Sequence, residues 1–301
     1  METEPITINF SEGSLTVLNV CLALIMFGVA LSIKLDHFRQ LRSDKKALLT
    51  GLFCQYILLP VITVILIYVL SPANEIALGM ILVAACPGGN ASNFFSMMAK
   101  GNIALSVTLS AFTSVFCFLL TPLSFFFWSS LVPGLSQSVQ SFEISFFDLF
   151  LNMIIILLLP LIAGMTFSHY YPKATEKIEK IFRTFSILVL ISFIGVAFMN
   201  NFDVFKNHIF SVFWLVMLHN GFGLMGAYYF SSLLKNKEPV NRSVAIETGI
   251  QNSGLGLVLI FTFFQGNGSM ALVAAWWGIW HLVSGFTFAY FIQRKKIIET
   301  I

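Results

Sequence analysis

Apolar residues run in long blocks along this chain, separated by short stretches that hold most of its charge. A helix needs roughly 17 to 25 mostly apolar residues to cross the hydrocarbon core of a bilayer. Reading between charges and turn residues gives nine such blocks: Ser14–Ile33, Ala47–Leu70, Ile76–Ala99, Ile103–Leu131, Ile144–Ser168, Thr184–Asn200, His208–Leu234, Val240–Phe264 and Ser269–Gln293. Pro60, Pro122 and Pro160 fall inside three of them and are expected to kink those helices.

Two of the nine are interrupted. In the third, Cys86-Pro87-Gly88-Gly89-Asn90 separates the run Ile76–Val83 from the run Phe94–Ala99. Proline removes a backbone donor and glycine adds freedom, so an ordinary helix is weak there. Unpaired backbone cannot face lipid, so a break at this depth must line protein or a water-filled cavity. A second break, Glu247-Thr248-Gly249-Ile250-Gln251-Asn252-Ser253-Gly254, interrupts the eighth block. Paired interruptions in the two halves of a membrane chain point to a transporter's binding site.

Composition fits the same picture. Of 301 residues, 57% are hydrophobic and 10% charged, against roughly 25% charged in soluble domains. The chain therefore reads as an integral membrane protein surrounded by a lipid bilayer, with no nucleic-acid partner. Sixteen of the 17 Lys and Arg fall on one side of a nine-span topology, which leaves Lys206 alone on the other. By the positive-inside rule, residues 1–13 lie outside and residues 294–301 in the cytoplasm, with the expected location the cell (inner) membrane. The acidic N-terminus lacks the basic start of a signal peptide, so no cleavage is expected. On this topology spans three and eight run in opposite directions, as inverted repeats of four and five spans require. Cys21, Cys54, Cys86 and Cys117 sit in apolar runs without metal-type spacing and read as inert thiols.

The candidate chemistry gathers at the breaks. Glu247 is a carboxylate well inside an apolar span, with Arg242 expected at the cytoplasmic edge, and an intramembrane carboxylate is a functional hypothesis by default. Gln251 and Asn252 follow it by four and five residues. Asn90, Ser92 and Asn93 follow the first break, and their oxygens suit a small hard cation. Ser106 and Ser110 share one helix face, and Gln55 is a lone amide in span two. Two other readings stand beside cation binding. Glu247 carries a proton in a proton-coupled carrier or antiporter, or it joins His219 and His281 in a membrane enzyme. The chain has neither HExxH nor GxSxG, so the enzymatic signal is weak. Trp276, Trp277 and Trp280 read as interface anchors or packing.

Residues Ala77 to Asn93 (ALGMILVAACPGGNASN) with Lys100 to Ser106 (KGNIALS) resemble the first crossover of the sodium/bile-acid symporter family. Leu218 to Gly223 (LHNGFG), Ile246 to Gly254 (IETGIQNSG) and Trp280-His281 resemble its second half. The likeness runs from about Ile25 to about Gly285 and is to the nine-span members. It implies an all-α membrane fold of inverted repeats with two crossed discontinuous helices. It further implies a core (47–131 and 208–293) and a panel (14–33 and 144–200) within one transporter unit, residues 14–293. It implies two sodium ions. The first would use Ser92, Asn93, Ser106, Ser110 and Glu247. The second would use Gln55, Glu247, Gln251 and the carbonyls of Thr248 and Ile250. An organic anion, bile-acid-like or a smaller carboxylate, would lie near Asn90, Asn252 and His281, and the chain would be a symporter rather than an enzyme. Ser110 stands where relatives often carry threonine, which keeps the hydroxyl. Asn90 stands where bacterial relatives carry threonine, at a position facing the substrate.

Overall fold

The computed structural model describes residues 12–31, 33, 44–89, 91–142, 145–200 and 202–294. All its elements are helical. In chain order they are α1 (Glu12–Leu31), α2 (Lys45–Leu70), α3 (Asn74–Ala85), α4 (Ala91–Met98), α5 (Ile103–Ser130), α6 (Leu135–Gln140), α7 (Phe146–Tyr170), α8 (Pro172–Asn200), α9 (Phe202–Leu233), α10 (Glu238–Gly249), α11 (Ser253–Phe263) and α12 (Gly268–Ile292). Among the described residues four helices are long and apolar enough to cross a membrane, namely α2, α5, α7 and α12. Exposed apolar side chains such as Ile57, Ile65, Leu123, Phe127 and Ile155 lie on three of them, a surface that suits lipid better than water. The chain is an integral membrane protein.

The expected kinks at Pro60 and Pro160 take a specific form. Each proline sits just after a π-helical turn, Cys54–Leu58 in α2 and Ile154–Leu158 in α7. The N–H of Leu59 reaches back five residues to the Cys54 carbonyl, and that of Leu159 to the Ile154 carbonyl. A proline ring clashes with the carbonyl four residues before it and cannot donate to it. Widening the turn by one residue relieves the clash. In α2 the carbonyl so freed belongs to Tyr56, and the indole of Trp128 donates to it at 3.3 Å. Pro122 is carried inside α5 without a π turn.

Two boundaries differ from the sequence expectation. Helix α8 starts at Pro172, twelve residues before Thr184. Its first turns are charged, but Glu176/Lys180 and Glu179/Arg183 are spaced four apart, glutamate first, which supports a helix beyond the apolar run. Helix α9 starts at Phe202, six residues before His208.

The helices pack in two groups that share a common core, with α1 on α11 and α7 on α5. Helix α1 lies along α7 and α8, while α2 to α5 and α9 to α12 pack among themselves. The short half-helices α3 and α11 form the centre of the second group. Every residue from Ala77 to Ala85 is buried, and Leu255, Leu257, Leu259 and Ile260 pack with them against Val273 and Trp277 of α12. A helix that is apolar all round belongs in an interior. Trp276 to Trp280 fall in the middle of α12, where Trp276 and Trp280 flank Phe213 at tilted and edge-on angles and Trp277 meets His219 edge-on.

The sequence reading set Arg242 at the membrane edge and gave it no partners. It is fully buried in α10. Its Nη1 donates to the Ala99 carbonyl at 2.8 Å, and its Nε to Glu238 at 3.1 Å, while Tyr228 donates to the same carboxylate at 2.8 Å. Beside it, the Asn102 N–H donates to the Pro239 carbonyl and the Ser243 hydroxyl to the Asn102 carbonyl. The start of α10 is thus stitched to the link between α4 and α5, and the guanidinium serves a buried carbonyl just past the end of α4.

Candidate functional site

The two breaks meet each other. Helix α3 ends at Ala85 and Cys86 is extended, while α10 ends at Gly249 and Asn252 caps α11. Between them Gly88 pairs with Gln251 in an antiparallel bridge. The Gly89 N–H donates to the Ile250 carbonyl at 2.7 Å, and the Asn252 N–H to the Pro87 carbonyl at 2.9 Å. Each break therefore supplies the partners that the other has lost. The approach is close enough to require glycine. A Cβ on Gly88 would lie 2.7 Å from Glu247 Oε2 and 3.3 Å from Gln55 Nε2, and one on Gly89 would lie 3.1 Å from the Gln251 carbonyl.

Glu247, on the last turns of α10, is 1% exposed. Its Oε1 accepts from Ser92 of α4 at 2.5 Å, from Ser106 of α5 at 2.5 Å and from Ser110 at 3.1 Å. Its Oε2 accepts from Ser110 at 3.0 Å and faces Gly88. Asn93 joins through Ser106, whose hydroxyl lies 2.8 Å from Asn93 Oδ1. The first set of five expected residues is therefore gathered around one carboxylate. Ser106 and Ser110 reach it from one face because they are one helical turn apart.

The second set is gathered less tightly. Gln55 sits in the π turn of α2 and Gln251 in the bridge, and both are fully buried. Gln251 Nε2 donates to the Thr248 carbonyl at 2.8 Å, and the Ile250 carbonyl is taken by Gly89. Neither polar atom of Gln55 has a hydrogen-bond partner, nor does Gln251 Oε1. Of the three residues expected near substrate, Asn252 uses its Oδ1 to cap α11 through the Leu255 N–H, and Asn90 lies outside the described residues. His281 is buried in α12 with Nδ1 unpartnered.

His219 is tied elsewhere. Its Nε2 lies 2.6 Å from the Thr63 hydroxyl. That hydroxyl also lies 2.8 Å from the Leu59 carbonyl, and Nδ1 has no partner. The next residue, Asn220, is one that the sequence reading did not single out. It is fully buried, and its Nδ2 donates to the Gly249 carbonyl at 2.7 Å while Oδ1 has no partner.

The place where the breaks meet is rich in oxygens. Ser106 has one proton for two acceptor oxygens, Glu247 Oε1 and Asn93 Oδ1. The buried side-chain oxygens of Gln55, Gln251 and Asn220 receive no hydrogen bond. Buried polar atoms without partners are costly. Hydroxyl, amide and carboxylate oxygens are the ligands that a hard cation takes.

A model of the sodium bile acid symporter family matches residues 19–208 of the chain. The chain is 30% identical over 282 residues to the uncharacterized sodium-dependent transporter YocS of Bacillus subtilis, covering 92% of this chain and 83% of the relative. It is 29% identical over 291 residues to the probable sodium/metabolite cotransporter BASS1 of Arabidopsis thaliana, a chloroplastic protein, covering 97% and 70%. Similarity to the rat sodium/bile acid cotransporter 5 is 25% over 272 residues, covering 90% of this chain and 61% of that one. These relatives are transporters, which removes the enzymatic reading of His219, His281 and Glu247. The chain belongs to the sodium/bile acid symporter family of sodium-dependent membrane transporters.

Proposed function

We propose that this protein is a symporter that takes up an organic anion, bile-acid-like or a smaller carboxylate, together with two sodium ions. The observation that carries the reading is the buried Glu247 carboxylate ringed by the oxygens of Ser92, Ser106 and Ser110, with Asn93 joined through Ser106. One ion would take the hydroxyl oxygens of Ser92, Ser106 and Ser110 with Asn93 and Glu247. The other would take Gln55, Gln251, Glu247 and the carbonyls of Thr248 and Ile250. A hydroxyl can donate to the carboxylate and still offer lone pairs to an ion. A proton carrier needs the carboxylate but not this ring of oxygens.

The anion would lie beside the crossover, near Asn90, Asn252 and His281. Helices α4 and α11 begin just after the two breaks, and helix N-termini favour negative charge. Alternating access would come from motion of the panel (14–33 and 144–200) against the core (47–131 and 208–293). Nine spans arranged as inverted repeats would carry it. Two sodium ions with one monovalent anion move one net positive charge, worth about 2.3 kcal/mol per 100 mV. Uptake would then respond to membrane potential as well as to the sodium gradient.

Purified protein reconstituted into vesicles tests this directly. Organic anions are screened for uptake under an inward sodium gradient, a potassium gradient and a proton gradient. Sodium should drive uptake of at least one anion, and an inside-negative potential should accelerate it. Uptake that follows the proton gradient regardless of sodium would replace the reading with proton coupling. The topology has its own test. Single cysteines at Gln137 of α6 and at Lys237, both exposed, are placed in a chain lacking Cys21, Cys54, Cys86 and Cys117. An impermeant thiol reagent added to intact cells is expected to label position 137 and spare position 237. Labelling of both would rule out nine spans.

A further inference from the structure

The stretch Thr248-Gly249-Ile250 presents three successive carbonyls where α10 unwinds, and each is held by a different element. The Thr248 carbonyl accepts from the Gln251 side chain at 2.8 Å. The Ile250 carbonyl accepts from Gly89 of the opposite break at 2.7 Å. The Gly249 carbonyl has lost its helical partner, because the Ser253 N–H turns to the Gln251 carbonyl instead. Its bond comes from Asn220 Nδ2, reaching across from α9 at 2.7 Å. Both residues are fully buried.

Gly249 is the weak link of the three. A Cβ there would lie 2.4 Å from the Leu224 side chain, so the position packs tightly as glycine. Glycine's backbone torsions are the least restrained of any residue, so an outside tether must do what a side chain does elsewhere. Peptide planes on either side of one α-carbon are coupled through its torsions. Fixing the Gly249 carbonyl therefore limits where the Thr248 and Ile250 carbonyls point. The amide has one usable orientation, because the flipped form would set oxygen against oxygen.

We propose that Asn220 is a positioning residue for sodium: it holds the unwound end of α10 in the geometry in which the Thr248 and Ile250 carbonyls and Glu247 bind the ion. This rests on the sodium reading above. It gives α9, which supplies none of the ten expected ligand assignments, a part in coupling.

The test is a sodium titration of thermal stability in purified full-length protein, with potassium holding ionic strength constant. Asn220→Ala leaves the Gly249 carbonyl without its donor and is expected to raise the half-saturating sodium concentration about tenfold, the low end of what an orphaned buried acceptor costs. Thr63→Val, which breaks the His219 bond one residue away and leaves Gly249 alone, is expected to stay within about twofold of wild type. Should Asn220→Ala not fold, Asn220→Thr keeps a hydroxyl donor at similar volume and is expected to fall between the two. A folded Asn220 variant that melts lower in potassium but keeps the wild-type half-saturation would make the bond merely structural and overturn the proposal. Glu247→Gln, run beside them, separates the two levels. If it keeps sodium stabilisation, the sodium reading itself fails. If it loses stabilisation while Asn220→Ala keeps it, only the role of Asn220 fails.

Discussion

Glu247→Gln is expected to reach the membrane folded, and to lose both sodium-induced stabilisation and sodium-driven uptake. Glutamine keeps the volume and one acceptor oxygen, so the Ser92 and Ser106 hydroxyls retain a target for their protons. What disappears is the only formal negative charge at the crossing, since every other group there is a hydroxyl, an amide or a carbonyl. At an effective dielectric near 20, a unit charge about 4 Å from an ion contributes roughly 4 kcal/mol. At about 1.4 kcal/mol per factor of ten, that approaches a thousandfold in affinity before the remaining oxygens and retained water screen it. The oxygens that lack partners at Gln55, Gln251 and Asn220 remain in the variant, so they test whether dipoles alone can hold the ion. A glutamic acid present only to satisfy the three serines would give the opposite result. Glutamine would replace it at little cost, and sodium would stabilise the variant as it does wild type.

The parts of this site that were legible in the sequence share a physical property: each is improbable in lipid. Pro87-Gly88-Gly89 and the polar run from Glu247 to Ser253 interrupt apolar helices, and a backbone broken at that depth must find partners. The two breaks prove to be each other's partners. A carboxylate inside a span must likewise be satisfied, and Ser106 and Ser110 one turn apart advertise a shared face. Asn220 is different. A lone amide on a long helix reads like any interhelical hydrogen bond, and its significance depends on meeting Gly249, twenty-nine residues away. The partners of Arg242 were missed for a related reason. Charge counting sorts residues by distance from the end of an apolar run, and cannot show that the Ala99 carbonyl needs a donor just where the guanidinium lies. The π turns escaped notice because a proline's kink is read from the proline, while its relief depends on the turn before it and, in α2, on Trp128. The extension of α8 past its apolar run falls on charged residues that hydropathy counts against a span.

Gly88→Ala is expected to damage one ion site and spare the other. The added methyl would point between Glu247 Oε2, at 2.7 Å, and Gln55 Nε2, at 3.3 Å. Real Cβ contacts do not occur at the first distance, so something must move. The Gly88 backbone is poorly placed to yield, because the bonds from Gly89 and Asn252 clamp it on both sides. Glu247 can swing only by straining its serine bonds, of which Oε1 carries three. Overpacking of this kind costs about 1–3 kcal/mol, so the protein should fold with a lowered melting temperature. The methyl fills the space between Gln55 and Glu247, where the second sodium would sit, while the serine face of the carboxylate keeps its partners. Uptake should therefore lose the steepness of a two-ion sodium dependence and approach that of one ion. Gln55→Ala makes the matching test without adding bulk, because it deletes an oxygen and leaves Gly88 intact. Both variants should flatten the sodium curve, and Ser106→Ala should instead weaken binding at the serine face. Wild-type steepness in both Gly88→Ala and Gln55→Ala would mean that no ion lies between Gln55 and Glu247, and that the unpartnered Gln55 amide serves another purpose.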